Sequence, residues 1–200
     1  LEFNIKQHIE LKEYCKKLGI IYSCSVWDIV SCQDICQIKP RFIKIPSAKN
    51  LDFEIHKYLI GNFNGEIHIS TGMTTKNEIN EIIEFYKLHK RSKDIVLYLC
   101  TSGYPVEVKD LCLLEIKNLF DVYGNIIKSI GFSGHHIGIS SDIAAHTIGK
   151  LSSYNSKASF GYIERHFTLN RAWKGTDHAA SLEPDGLRRL IRDVKENEDA

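Results

Sequence analysis

Six short apolar runs alternate with amphipathic stretches along these 200 residues, and this alternation limits the fold more than any other feature. The apolar runs cover 20–25, 42–46, 66–70, 95–100, 126–132 and 160–168. Helical periodicity falls at 5–18, from Asp28 to about 37, at about 52–60, from Thr75 to about 89, near 110–123, at about 141–149 and at 184–196. Asp28 stands where a helix cap belongs. Thr75, with Glu78 three residues on, has the capping-box spacing. Six strands, each followed by a helix, predict a parallel sheet covered by helices. Pattern alone allows both an open doubly wound sheet and a (β/α)8 barrel. Polar residues favour the barrel, because they cluster at the C-terminal ends of five strands: Lys44 with Ser47, Ser70, Ser102, Ser133 with His135, and His166. A barrel converges such ends on one pocket, whereas an open sheet gathers only those beside its switch point.

Charge and cysteine content exclude several classes of function. Twenty-six basic residues against 25 acidic ones leave a formal charge of +1, which speaks against a nucleic-acid binder. No apolar run approaches a membrane span. The opening LEFNIK has no secretory pattern and no initiator Met, so the chain is expected to be an internal piece. The six cysteines match no zinc spacing and read as reduced thiols of a cytoplasmic protein. The Ser-rich segment 149–161 reads as a solvated surface loop.

Segment 161–184 carries the densest chemistry. A strand delivers His166 to its end, a polar loop with Asp177 and His178 follows, and Pro184 opens a helix. Upstream, 129–138 likewise runs from strand to His135 and His136. One strand-end histidine alone reads as a hydrogen-bonded core residue. Two of them suggest a single metal site. Imidazole suits Fe²⁺, Co²⁺ and Zn²⁺, and oxygen-rich surroundings favour Mn²⁺. Two protein ligands leave coordination positions open for substrate. His136 and His178 read as supporting or loop groups, and His8, His56, His68, His89 and His146 as structural ones. Glu164 shares a strand face with His166 and reads as a pocket acid or ion-pair partner, ranked below Asp177.

The runs FIKIPSA, HISTGM, LCTSGYP, GFSGHHIGIS, YIERHFTL and WKGTDHAASLEP, in this order, resemble the sialic acid (N-acetylneuraminate) synthase family, the nonulosonic acid synthases. The resemblance extends from about residue 19 to about 194. It implies a (β/α)8 barrel whose first two βα units lie before Leu1, and an antifreeze-like C-terminal domain that residues 1–200 lack. Under that reading 1–200 is a partial barrel of about six βα units, inactive by itself. The implied reaction condenses phosphoenolpyruvate with an N-acylated amino sugar of the N-acetylmannosamine kind, giving a nonulosonic acid and phosphate. It implies a divalent metal, Mn²⁺ with Mg²⁺ or Co²⁺ as alternatives, held by His135 and His166.

Lys44, Ser47, Ser70 and Ser133 match phosphoenolpyruvate-holding positions, and their chemistry suits a phosphate and a carboxylate. Ser102 and Tyr104 match substrate-contacting positions, and Asp177 a carboxylate that bonds the sugar hydroxyls. His135, His166 and Asp177 form the implied catalytic set. The resemblance further implies a cytoplasmic homodimer at full length. Two departures stand out: Lys49 occupies a position often acidic, and Asn170 replaces a common aspartate. Two rival readings are a metal-dependent aldolase or hydrolase on the same barrel, and a truncated, non-catalytic remnant.

Overall fold

The computed structural model describes residues 3–199. In chain order the elements are α1 (Ile5–Lys17), α2 (Ile29–Ile38), β1 (Phe42–Ile45), α3 (Phe53–Asn62), β2 (Glu66–Ser70), α4 (Lys76–Leu88), β3 (Ile95–Cys100), α5 (Glu115–Tyr123), β4 (Ser129–Gly134), α6 (Ser140–Ser153), β5 (Ser159–Arg165) and α7 (Pro184–Asp199). The strands follow chain order in a five-stranded sheet, β1-β2-β3-β4-β5. β1 pairs with β2 and β4 with β5, both in parallel. The chain divides into two compact units: residues up to 70 with 74–96, and residues 71–73 with 97 onward.

In the first unit, Ile43, Ile45, Ile67 and Ile69 are fully buried on one face of β1 and β2. Burying each such side chain contributes roughly 1.5–3 kcal/mol. Helices α2, α3 and α4 bury Cys32 and Ile35, Ile55 and Leu59, and Ile79, Ile82 and Ile83. The expected caps are present. The Asp28 carboxylate accepts the Ser31 N–H at 2.7 Å, and Thr75 and Glu78 exchange bonds at 3.3 and 2.7 Å. In the second unit α6 packs on both β4 and β5, and α7 packs on α6. Among the described residues no helix is long and apolar enough to cross a membrane.

Segment 20–25 is not a strand, so five strands replace the expected six. Only Ser25 bridges to Lys44: the Lys44 N–H donates to Cys24 O at 3.1 Å, and Val26 N–H to Lys44 O at 2.9 Å. The next rung of a parallel ladder would bring the Cys24 N–H to the Phe42 carbonyl. That carbonyl instead accepts the Ser23 hydroxyl at 2.6 Å. Ile20 and Ile21 stay exposed, so apolar burial does not favour pairing there.

Other boundaries shift for similar local reasons. β4 begins at Ser129 rather than 126, because the Ile126 and Ile127 N–H groups bond back to Tyr123 O at 2.8 and 3.1 Å and close the end of α5. α5 starts at Glu115, five residues later than expected, after a separate turn at Val108–Asp110. β5 ends at Arg165 rather than 168, and Phe167 then makes an isolated bridge to Leu182. The expected loop at 149–161 is largely ordered: α6 extends through Ser153 and β5 begins at Ser159.

Gly149 shows why the helix can pass through this point. It is buried in α6, and a Cβ there would stand 2.2 Å from the Phe160 ring. Helix propensity favours alanine over glycine by about 1 kcal/mol. Overpacking costs typically 1–3 kcal/mol. Gly149→Ala is therefore expected to lower the urea unfolding midpoint, since the overlap outweighs the propensity gain. A raised midpoint would contradict this packing.

Candidate functional site

A one-residue slip between two strands builds the site in the second unit. β4 and β5 start in step, Ile130 opposite Phe160, but Gly131 faces Tyr162, so Gly161 is an extra residue on β5. Without it, Gly134 would face Glu164. With it, Ser133 faces Glu164 and Gly134 faces Arg165. One extra residue also turns every later side chain of β5 to the other face. Glu164 and the residue after the strand, His166, therefore share the face of Ser133 and His135, while Arg165 points away. Glycine suits this place: a Cβ at Gly131 would stand 2.8 Å from Tyr162 O and 2.9 Å from the Tyr98 ring.

The outcome is a compact polar cluster. The His135 and His166 ring centroids lie 5.1 Å apart. Tyr104, from the loop after β3, sits 4.3 Å from the His135 ring and 5.6 Å from the His166 ring. Ser133 Oγ donates to Glu164 Oε1 at 2.7 Å. Asp177 Oδ2 stands 3.8 Å from His166 Nδ1, and both side chains are partly exposed. The Val106 N–H donates to His135 O at 3.0 Å, tying the loop after β3 to the loop after β4.

The protonation pattern follows from the partners. His135 Nδ1 lies 2.8 Å from Thr101 O, which can only accept, so Nδ1 carries the hydrogen. When that ring holds one proton, its lone pair is on Nε2. Burial, then the nearby Cys100, Asp177 and Glu164, hold the Tyr104 hydroxyl above its ordinary pKa, so it remains a donor at neutral pH. The Ser102 hydroxyl is buried with no hydrogen-bond partner among the described residues. A divalent ion placed here would find two neighbouring imidazoles, those of His135 and His166. Among the described residues no group of three or more His, Cys, Asp or Glu side chains is arranged to do so.

The first unit carries the remaining expected residues. Lys44 lies half-buried in β1, Ser47 opens the 3-10 turn Ser47–Lys49, and Ser70 ends β2. Ser70 is buried and its Oγ has no hydrogen-bond partner among the described residues. Each of these stands at or just past the C-terminal end of its strand, as expected. Lys49 Nζ lies 3.5 Å from Asp52 Oδ2, so a carboxylate does occur beside the position where the resemblance called for an acid.

Sequence reading missed two supporting networks. In the first unit, the Asn50 amide donates to Ser70 O at 2.8 Å and to Thr74 Oγ1 at 2.5 Å. The Asn50 carbonyl accepts from His56 Nε2 at 2.8 Å, and His56 Nδ1 accepts the Tyr86 hydroxyl at 2.9 Å. Burial lowers the His56 pKa, consistent with a ring that accepts at Nδ1. In the second unit, Arg165, Asp142 and His136 form a buried group. Arg165 Nη1 meets Asp142 Oδ2 at 2.5 Å, and His136 Nε2 lies 3.3 Å from each of them. His136 thus belongs to this interior group. His178 bonds the Thr168 hydroxyl at 2.8 Å and packs edge-on against Trp173. Strand alternation puts Arg165 on the face opposite His166, but no motif marks its partners.

Imidazole, phenol, hydroxyl and carboxylate groups thus gather at the C-terminal ends of parallel strands in an α/β fold, the place where such folds carry their sites. The chain belongs to the NeuB family, whose pattern matches residues 1–200. It is 34% identical over 190 residues to N-acetylneuraminate-9-phosphate synthase of Drosophila melanogaster, covering 95% of this chain and 47% of that protein. It is 30% identical over 197 residues to N,N'-diacetyllegionaminic acid synthase of Campylobacter jejuni, covering 98% and 55%. The chain thus spans about half the length of these curated relatives. Among solved structures, N-acetylneuraminic acid synthetase of Leptospira borgpetersenii, crystallised with citrate, shares the fold: TM-score 0.85 at 24% identity, over 99% of this chain and 64% of that one.

The bond from His135 to Thr101 O and the Asn50 network assign opposite tautomers to two buried histidines. Nitrogen-15 NMR near neutral pH should show His135 protonated at Nδ1 and His56 at Nε2. His135 protonated at Nε2 alone would contradict the bond to Thr101.

Proposed function

We propose that the protein carrying this chain condenses phosphoenolpyruvate with an N-acylated amino sugar of the N-acetylmannosamine kind, releasing phosphate and a nonulosonic acid. The observation that carries this reading is the pairing of His135 with His166 beside Ser133, Glu164 and Tyr104, on a chain of the NeuB family. In this reading the sheet is an arc of a (β/α)8 barrel, and the full-length protein is a cytoplasmic homodimer. The six cysteines, none of them in a disulfide, suit a reducing compartment.

Two imidazoles with open positions beside them fit a divalent ion such as Mn²⁺, which when bound at His135 and His166 supplies Lewis-acid polarisation of the sugar aldehyde. Mg²⁺ and Co²⁺ are the alternatives. The chain's own groups do the rest. Lys44 supplies a cation, and Ser47 and Ser70 supply hydroxyl donors, for the phosphate and carboxylate of phosphoenolpyruvate. The buried Ser70 hydroxyl, with no partner among the described residues, supports that role.

The Ser133 hydroxyl has one hydrogen, which Glu164 accepts. Holding an anion turns that hydrogen to the ligand and leaves Glu164 to accept from a substrate hydroxyl or from the attacking water. Asp177 accepts sugar hydroxyls, and Ser102 and Tyr104 donate to the substrate. Carbon 3 of phosphoenolpyruvate bonds to the aldehyde carbon, water adds at carbon 2, and the bond from carbon 2 to the phosphate oxygen breaks. Orientation and fixed charge lower the barrier.

Phosphate release that needs both substrates together is the test of the reaction class. Release from phosphoenolpyruvate without the sugar would point to a hydrolase. For the assigned roles, Lys44→Ala is expected to raise the KM for phosphoenolpyruvate on the order of 10- to 100-fold, the value of one charge-assisted hydrogen bond. The KM for the sugar should change little. Equal effects on both substrates, or a selective effect on the sugar, would overturn the role of Lys44.

A further inference from the structure

We propose that Arg165 is the positioning residue for the strand-end histidines. Its buried guanidinium joins three loop or helix-start segments to the end of β5 and so sets His135 against His166. The proposal rests on the metal role given to those histidines above.

Arg165 lies between Glu164 and His166, the two residues that face the cluster, and points to the opposite side of β5. Its side chain is 2% exposed. Nη1 donates to Gly138 O at 2.8 Å and to Asp142 Oδ2 at 2.5 Å. Nη2 donates to His136 O at 2.7 Å and to Ala180 O at 3.2 Å. His136 and Gly138 belong to the loop that begins with His135. Asp142 is in the first turn of α6. Ala180 ends the short turn His178–Ala180, directly after Asp177. One side chain thus reaches the segments that carry three of the assigned site residues, His135, His166 and Asp177.

The chemistry of the contacts explains why arginine is used. Three of the four acceptors are backbone carbonyls of irregular segments, which have no ladder partner to fix them. A planar guanidinium presents donors in a rigid fork and can hold several acceptors in one plane. A lysine ammonium at the same place would keep the charge opposite Asp142 but not the fork. A guanidinium and a carboxylate are costly to bury, and they yield little net stability compared with well-packed apolar side chains. Stability alone therefore does not account for the pair, whereas control of loop position does.

The test uses the protein that carries this chain, with Mn²⁺ as the probe. The dissociation constant is read from the electron paramagnetic resonance signal of free Mn²⁺, and the thermal midpoint is recorded in parallel. Arg165→Lys should fold and bind Mn²⁺ 10- to 100-fold more weakly, the usual cost of losing a group that orients a metal ligand. The double variant Arg165→Met/Asp142→Leu removes both buried charges. It should fold with a thermal midpoint above that of Arg165→Met alone, whose Asp142 charge is left unpaired, and still bind Mn²⁺ weakly. Tight binding by either variant, with His166→Ala unable to bind, would overturn the positioning role and leave the metal reading intact. No Mn²⁺ binding by the unaltered protein, or unchanged binding by His166→Ala, would overturn both. Failure of both variants to fold would assign Arg165 to stability and end the proposal.

Discussion

The register slip between β4 and β5 is the constraint on which the candidate site depends. A parallel ladder has a side-chain period of two, so a single extra residue exchanges the two faces of everything after it. Gly161 is that residue. It places Glu164 and His166 with Ser133 and His135, and it sends Arg165 to the helix side. In a regular ladder Arg165 would share the face of His135, and the guanidinium would stand where the second imidazole now does. The choice among three consecutive side chains is thus made by backbone geometry five residues earlier.

That exchange also places costly groups where they can be satisfied. Arg165 and Asp142 are both almost fully enclosed, and either alone would carry a large desolvation cost. Together, with three backbone carbonyls, they occupy both terminal guanidinium nitrogens and Asp142 Oδ2, while Arg165 Nε and Asp142 Oδ1 stay buried with no partner among the described residues. The first unit solves a similar problem without charge. Asn50 holds the Ser70 and Thr74 acceptors, and a neutral His56 ring passes a chain of hydrogen bonds from Tyr86 to the Asn50 carbonyl. Each unit therefore backs its strand-end groups with a buried polar network, while the isoleucines of β1 and β2 supply apolar burial on the first unit's sheet.

Much of this was legible in the sequence, and the rest was hidden for definable reasons. Period-two and period-3.6 patterning located β1, β2, β3 and most helices, because there burial and periodicity agree. The pattern failed at 20–25 and 126–127, where apolar residues are present but a side-chain hydroxyl or a turn takes the hydrogen bonds that a strand needs. His135, His166, Ser133 and Tyr104 were legible as residues at strand ends, and the structure brings these four and Glu164 into one cluster. The slip at Gly161 was not legible, since a bulge in a parallel pair leaves no composition signal beyond a glycine. Arg165 was missed because three of its acceptors are backbone carbonyls, which every residue has, and Asn50 because no motif links it to Ser70 O, Thr74 and His56. Glu164 was ranked below Asp177, yet it makes the shorter contact with an assigned residue, 2.7 Å to Ser133 against 3.8 Å from Asp177 to His166.

We propose that two strand-end imidazoles, aligned by this slip, ligate one divalent ion. Electron spin echo envelope modulation of the Mn²⁺-loaded protein measures this directly, because each ligating imidazole couples its nitrogen to the electron spin. Two coupled histidine nitrogens, one lost in His135→Ala and the other in His166→Ala, is the predicted result. A spectrum with no histidine nitrogen coupling, or one unchanged by either substitution, would contradict the account.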